Sequence, residues 1–266
     1  MALVSVERKG GAAVITYANP PLGTMTATGS AEMLAAVTAA SEDPEVRAIV
    51  LTGGLPGIFI RHYDVGELSQ LGERLADPAP PAPQSDGGGK PGGTFGELVD
   101  ALAAAPKPVI AAINGLCMGG GFEISLACDI RIAARDAQAI GLPETRVGIF
   151  PGGGGTQRLP RVIGEARALE MILRGRTVTG AEAAQIGMVH EAADDALARA
   201  LEIAAEFESK GAEGVAYAKR LTRAALDRPL AEGLADERRS FVQVMRTAGA
   251  RQGLRAGLPP NQIQEI

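Results

Sequence analysis

The sequence predicts an α/β fold with a helical C-terminal region, and three observations carry that reading. Apolar runs of strand length recur through the first 195 residues, of which Val109-Ile110-Ala111-Ala112-Ile113 is the clearest. Between them lie segments whose apolar residues repeat at three- and four-residue intervals, the spacing of one helix face. Beyond residue 195 only the helical period continues. Strand–helix alternation followed by helices alone implies an α/β core over 1–195 and a helical region over 196–266.

From the N-terminus, Val4 to Val6 and Ala13 to Tyr17 read as strands joined by the turn Lys9-Gly10-Gly11. Met33, Leu34 and Val37 set a helix over Ser30 to Ala40, and Arg47 to Thr52 is a strand stopped by Gly53-Gly54. Phe59 to Val65 leads from a strand into a helix over Glu67 to Leu75. Residues 76–93, rich in Pro and Gly, fit no regular element and read as a surface loop or a lid. Within them Gly87, Gly89 and Gly92 match a dinucleotide fingerprint only formally, since no strand precedes them and no helix opens on them.

Helix Leu98 to Ala105, strand Val109 to Ile113 and helix Phe122 to Ala127 follow. Asp129 to Ala133 and Ala137 to Ile140 read as short strands, and Glu165 to Leu173 as a helix stopped at Gly175. Thr179 and Glu182 have the spacing of a capping box. The C-terminal helices are Ala196 to Glu208, Glu213 to Asp227 and Leu230 to Met245.

Composition narrows the function classes. A net charge of −5 argues against a general phosphate-backbone binder, and the absence of Trp, with three Tyr and six Phe, argues against base stacking. No apolar run approaches the roughly 20 residues that span a bilayer. The N-terminus lacks the basic-then-apolar order of a signal peptide, so a cytoplasmic location is expected. Cys117 and Cys128 read as small core residues, and the two histidines, His62 and His190, are too far apart to suggest a metal site.

Two glutamates stand out because each follows a specially shaped backbone. Glu123 closes Gly119-Gly120-Gly121-Phe122-Glu123, where a strand gives way to a helix, and Glu144 closes Gly141-Leu142-Pro143-Glu144. Glycines at a helix start let a ligand approach backbone N–H groups that have no intrahelical partner. Such groups can hold a developing oxyanion, and partial burial would bring a glutamate toward neutrality as a proton carrier. Two carboxylates sharing one water suggest its addition or removal. A tight strand–helix turn and two solvated glutamates account for the same residues. Gly152 to Gly155 reads as a turn before a helix.

Taken together, several motifs resemble the crotonase (enoyl-CoA hydratase/isomerase) superfamily over nearly the whole chain. They are Pro106-Lys107-Pro108 through Asn114-Gly115, Gly119 through Glu123, Ala127-Cys128-Asp129-Ile130, Pro143-Glu144, and Gly148-Ile149-Phe150-Pro151 through Leu159. Arg174-Gly175-Arg176 through Val189 fits as well. The resemblance implies a crotonase-like spiral of β-β-α repeats with a helical C-terminal trimerisation region, and hence a homotrimer or a dimer of trimers. It implies an acyl-coenzyme A thioester as substrate, with no further cofactor and no nucleic-acid or membrane partner.

By motif position, the implied oxyanion donors are the backbone N–H groups of Tyr63 and Gly120, with His62, Asp64, Gly119 and Gly121 around the substrate. Glu123 and Glu144 fall on both acidic positions of the hydratases. Their implied roles are activation of water for attack at Cβ and proton exchange at Cα. An isomerase, an acyl-CoA hydrolase or a silent acyl-CoA-binding homologue are the alternatives. Two features depart from the family pattern: His62-Tyr63 replaces a small pair, and the spacing between the glutamates is one residue longer, which a β-bulge before Gly141 would absorb.

Overall fold

A computed structural model describes residues 2–76 and 93–257. The stretch expected as a loop or lid over 76–93 falls outside them, apart from Ala76 and Gly93, which belong to the flanking helices. In order, the chain forms β1 (Val4–Lys9), β2 (Ala12–Tyr17), α1 (Ala27–Glu42), β3 (Ala48–Gly53), β4 (Ile58–Ile60), α2 (Val65–Ala76) and α3 (Gly93–Ala104). Next come β5 (Val109–Ile113), β6 (Leu116–Met118), α4 (Gly120–Ala127), β7 (Ile130–Ala134), β8 (Ile140–Gly141) and a 3₁₀ turn, Glu144–Val147. They are followed by α5 (Gly155–Ile163), α6 (Glu165–Leu173), β9 (Thr177–Val178), α7 (Gly180–Gln185) and β10 (Glu191–Ala193). Helices α8 (Ala196–Ala205), α9 (Ala212–Ala224), α10 (Leu230–Val244) and α11 (Ala248–Ala256) complete the chain.

Two sheets stack the repeats. One has the order β1-β2-β3-β5-β7-β10 and the other β4-β6-β8-β9. The pairs β3/β4, β5/β6 and β7/β8 each give one strand to each sheet, in the same order and parallel to the next pair. This is the β-β-α spiral that the motifs implied. All of β5, and β3 up to its last residue, are buried, as continuous apolar runs in the middle of a covered parallel sheet must be.

The strand expected over Ala137 to Ile140 is shorter than its sequence suggests. Only Ile140 and Gly141 pair, with Cys117 and Met118, and 135–139 form a connection. Strands β6, β9 and β10 were not evident, because two or three residues are too few to show a period of two. The capping box is present: the Thr179 hydroxyl accepts from the Glu182 N–H at 3.2 Å and the Glu182 carboxylate accepts from the Thr179 N–H at 2.9 Å.

Helix α4 is buried along its whole length, so the glutamate it carries enters the core with it. Helix α8 lays Ala196, Ala200 and Ala204 against the large sheet. Helix α9 is tied down by charge instead: Lys219 and Arg223 each lie 2.8 Å from a different oxygen of Asp129. Lys219 also donates to the carbonyls of Leu102 and Lys107. Leu226, Leu230, Phe241 and Val242 in the helical region remain exposed.

Candidate active site

The N-terminus of α4 and the Gly-rich segment before α5 meet at Glu123. Its side chain is 97% buried, since 3% of its surface is exposed. Oε1 accepts N–H groups from Gly153 at 2.7 Å and Gly155 at 2.8 Å. Burial raises the pKa of this carboxyl, while these two N–H groups and the Arg158 cation pull it back down. A Cβ on Gly153 would collide with the Phe95 ring and stand 2.7 Å from Glu123 Oε2, which explains the glycine. The glycines over 152–155 are therefore the cradle of Glu123 rather than only a turn. Their position at the start of a helix, where N–H groups lack partners, was the available signal.

Glu144 opens the 3₁₀ turn that follows β8 and lines the same cleft. Its pKa is raised to about 7, first by burial and further by the neighbouring Glu123 charge. Oε2 is buried with no hydrogen-bond partner among the described residues. A buried acceptor without a partner requires an explanation, and a site for water or substrate supplies one. The extra residue between the glutamates causes no bulge. Pairing of β7 with β5 and of β8 with β6 is unbroken.

Beside the Glu144 carboxylate lies Gly119, whose φ of +50° suits glycine and turns the chain from β6 into α4. A Cβ there would stand 3.3 Å from Glu144 Oε1 and 3.6 Å from the His62 Cβ, which brings all three residues together. The equivalent point on Gly120 lies 3.4 Å from the Tyr63 nitrogen. Among the described residues neither the Tyr63 N–H nor the Gly120 N–H has a hydrogen-bond acceptor. Two unpaired backbone donors side by side, one of them at a helix N-terminus, form an anion-binding corner.

Of the remaining predicted site residues, the structure brings His62 to the cleft but not Asp64 or Gly121. Asp64 accepts from the Thr24 hydroxyl at 3.1 Å and from the Glu67 N–H at 3.0 Å, fixing the entry to α2. Gly121 packs its backbone against the Ile60 carbonyl. His62 Nδ1 lies 2.7 Å from the Tyr63 carbonyl. A carbonyl only accepts, so Nδ1 is the donor in this contact. The Tyr63 hydroxyl donates to Glu67 at 2.9 Å, and its ring meets Phe95 edge to face with centroids 5.3 Å apart.

The cleft has a volume of about 800 Å³, within the range of small-molecule sites. Leu68, Leu71, Phe95, Val147, Ile149 and Phe150 give it an apolar wall opposite the polar floor. Among the described residues no group of three His, Cys, Asp or Glu side chains could hold a metal ion. No helix among them is long and apolar enough to cross a membrane.

A family model described as enoyl-CoA hydratase/isomerase matches residues 7–258. YngF of Bacillus subtilis is 48% identical over 161 residues, a stretch that makes up 60% of each chain. The mitochondrial methylglutaconyl-CoA hydratase of Mus musculus is 37% identical over 83% of this chain and 68% of its own length. The crystal structure of an enoyl-CoA hydratase from Bacillus anthracis superposes with a TM-score of 0.84 at 31% identity. That match covers 96% of this chain and 95% of the other.

Proposed function

Because the chain belongs to the enoyl-CoA hydratase/isomerase family, we propose that it is an enoyl-CoA hydratase, adding water reversibly across the 2,3 double bond of an enoyl-CoA thioester. The observation that carries this reading is the convergence of two carboxyls, the buried Glu123 and the partly buried Glu144, on one cleft beside two unpaired N–H groups.

In this reading the thioester oxygen sits between the N–H groups of Tyr63 and Gly120. As water attacks Cβ, electron density moves through Cα to that oxygen, and each such donor is worth about 2.7–4 kcal/mol at the transition state. Glu123, ionised and held through Oε1, takes the proton of the attacking water on Oε2. Glu144, whose pKa of about 7 keeps a large protonated fraction near neutrality, gives its proton to Cα. Water and proton arrive from the side of the cleft the two carboxyls share, so addition is syn. Run backward, the same groups dehydrate a 3-hydroxyacyl thioester. The exposed apolar residues of the C-terminal helices, Leu230 and Phe241 among them, support association of copies of this chain into a trimer.

Hydration of crotonyl-CoA, followed by loss of the absorbance of the conjugated thioester, tests the reading. Turnover that falls at least a hundredfold in both Glu123→Gln and Glu144→Gln is expected. Turnover that persists in either variant refutes the two-carboxyl mechanism. Coenzyme A binding with no turnover across several enoyl chain lengths would favour a silent homologue.

A further inference from the structure

Arg158 lies behind the cradle of Glu123 and plays no direct part in the substrate cleft. It lines a second, open cavity of about 1150 Å³ between α3, α5 and α9. The other cations of that cavity have carboxylate partners. Arg161 pairs with Asp227 at 3.1 Å, Arg220 with Asp236 at 2.7 Å, and both Lys219 and Arg223 with Asp129. Among the described residues Arg158 forms no salt bridge, although it is partly buried and burial lowers its pKa. Placing an unpaired cation there costs free energy, so its contacts should identify what it supports.

Those contacts lead to Glu123. Arg158 Nη1 donates to the Gly153 carbonyl at 3.0 Å, while the N–H of the same glycine donates to Glu123 Oε1 at 2.7 Å. Gly154, at φ +102°, carries the guanidinium across its α-carbon, where any Cβ would collide with it. The Gly155 N–H then completes the grip on Oε1. The loop is thus held from both sides: by the cation at the rear and by the carboxylate in front.

We propose that Arg158 is a positioning residue that, through the Gly153 carbonyl, holds the Gly153 and Gly155 N–H groups on Glu123, the base of the reaction. The kinetic part of this inference rests on the hydratase reading, while the ionisation of Glu123 does not. The charged groups around the pair are Glu144, which lines the same cleft as Glu123, and Asp100, Arg161 and Arg223, which lie near Arg158. Burial opposes ionisation of Glu123 and the Arg158 cation favours it, so removing the cation moves its titration upward.

The test compares the full-length protein with Arg158→Met and Arg158→Lys, using carbon-13 NMR to follow the Glu123 carboxyl through pH. In Arg158→Met the Glu123 titration should move up by about half to one pH unit. The acid limb of kcat/KM for crotonyl-CoA should follow, kcat should fall about tenfold, and KM should stay within about twofold. Arg158→Lys retains the charge, so it should titrate close to wild type and recover kcat only in part. Arg158→Gln serves as a second neutral variant, read in the same way, should the Met variant not fold. An unchanged Glu123 titration in a folded neutral variant overturns the proposal. A wild-type protein inactive on every enoyl-CoA, with the Glu123 shift still present in the variant, would overturn the hydratase reading alone.

Discussion

Replacing Glu144 with Gln should move activity and stability in opposite directions. In the folded chain this carboxyl titrates near 7 rather than at 4.5, mainly because it is buried, and Oε2 has no partner to compensate. A carboxyl whose folded pKa is raised contributes fully below its unfolded value and loses that contribution as pH rises through the folded value. At about 1.4 kcal/mol per pH unit, the move from 4.5 to about 7 corresponds to roughly 3 kcal/mol that the wild type forgoes above pH 7. A neutral amide of the same shape avoids that loss. Chemical denaturation at pH 5 and pH 8 should therefore show Glu144→Gln close to wild type at the lower pH and more stable by about 2–3 kcal/mol at the higher. Crotonyl-CoA hydration should fall by about 10²–10⁴, the range of general acid–base catalysis. A variant no more stable than wild type at pH 8, or one within tenfold of its kcat, would refute the reasoning.

Three further predictions concern the other parts of the site. With Glu123 ionised and Glu144 protonated in the active form, hydration should follow a bell in pH whose alkaline limb lies near 7, measured as kcat/KM across pH 5–9. The two limbs belong to the coupled pair, so Glu123→Gln should remove the acid limb along with most of the activity. Gly153→Ala pushes a methyl group into Phe95 and against Glu123, and should cost at least tenfold in kcat in a folded protein. Tyr63→Ala keeps the backbone N–H but removes the ring packed on Phe95, so kcat/KM should shift toward longer or branched enoyl-CoA substrates in a chain-length series.

The fold was legible where physical signals are long or redundant. The five-residue run Val109 to Ile113, the helical periods and the Thr179–Glu182 capping box each appear where the residues placed them. β6, β8 and β9 were not legible to the same degree, since strands of two or three residues carry no period. Their pairing is imposed by the repeating spiral.

The site divides in the same way. Glu123 and Glu144 could be named because glycine and proline mark their backbones, and both line the cleft. The Gly153 and Gly155 donors could not, because their bonds to Glu123 span thirty and thirty-two residues, and Arg158 acts through Gly153, so all three depend on tertiary packing. The resemblance grouped Asp64 with the substrate, but its carboxylate is occupied with Thr24 and Glu67, a distinction that only hydrogen-bond geometry makes. The bulge expected before Gly141 is not there, because β8 pairs with β6 in unbroken register.

The most direct test of the account is a crystal structure of the protein with a bound 3-hydroxyacyl-CoA or an unreactive acyl-CoA analogue. The account predicts a thioester oxygen about 2.7–3.1 Å from the backbone nitrogens of both Tyr63 and Gly120. It also predicts a single oxygen, from water or the 3-hydroxyl group, within hydrogen-bond reach of both Glu123 and Glu144. A thioester oxygen bound elsewhere, or carboxyls that share no oxygen, would contradict it.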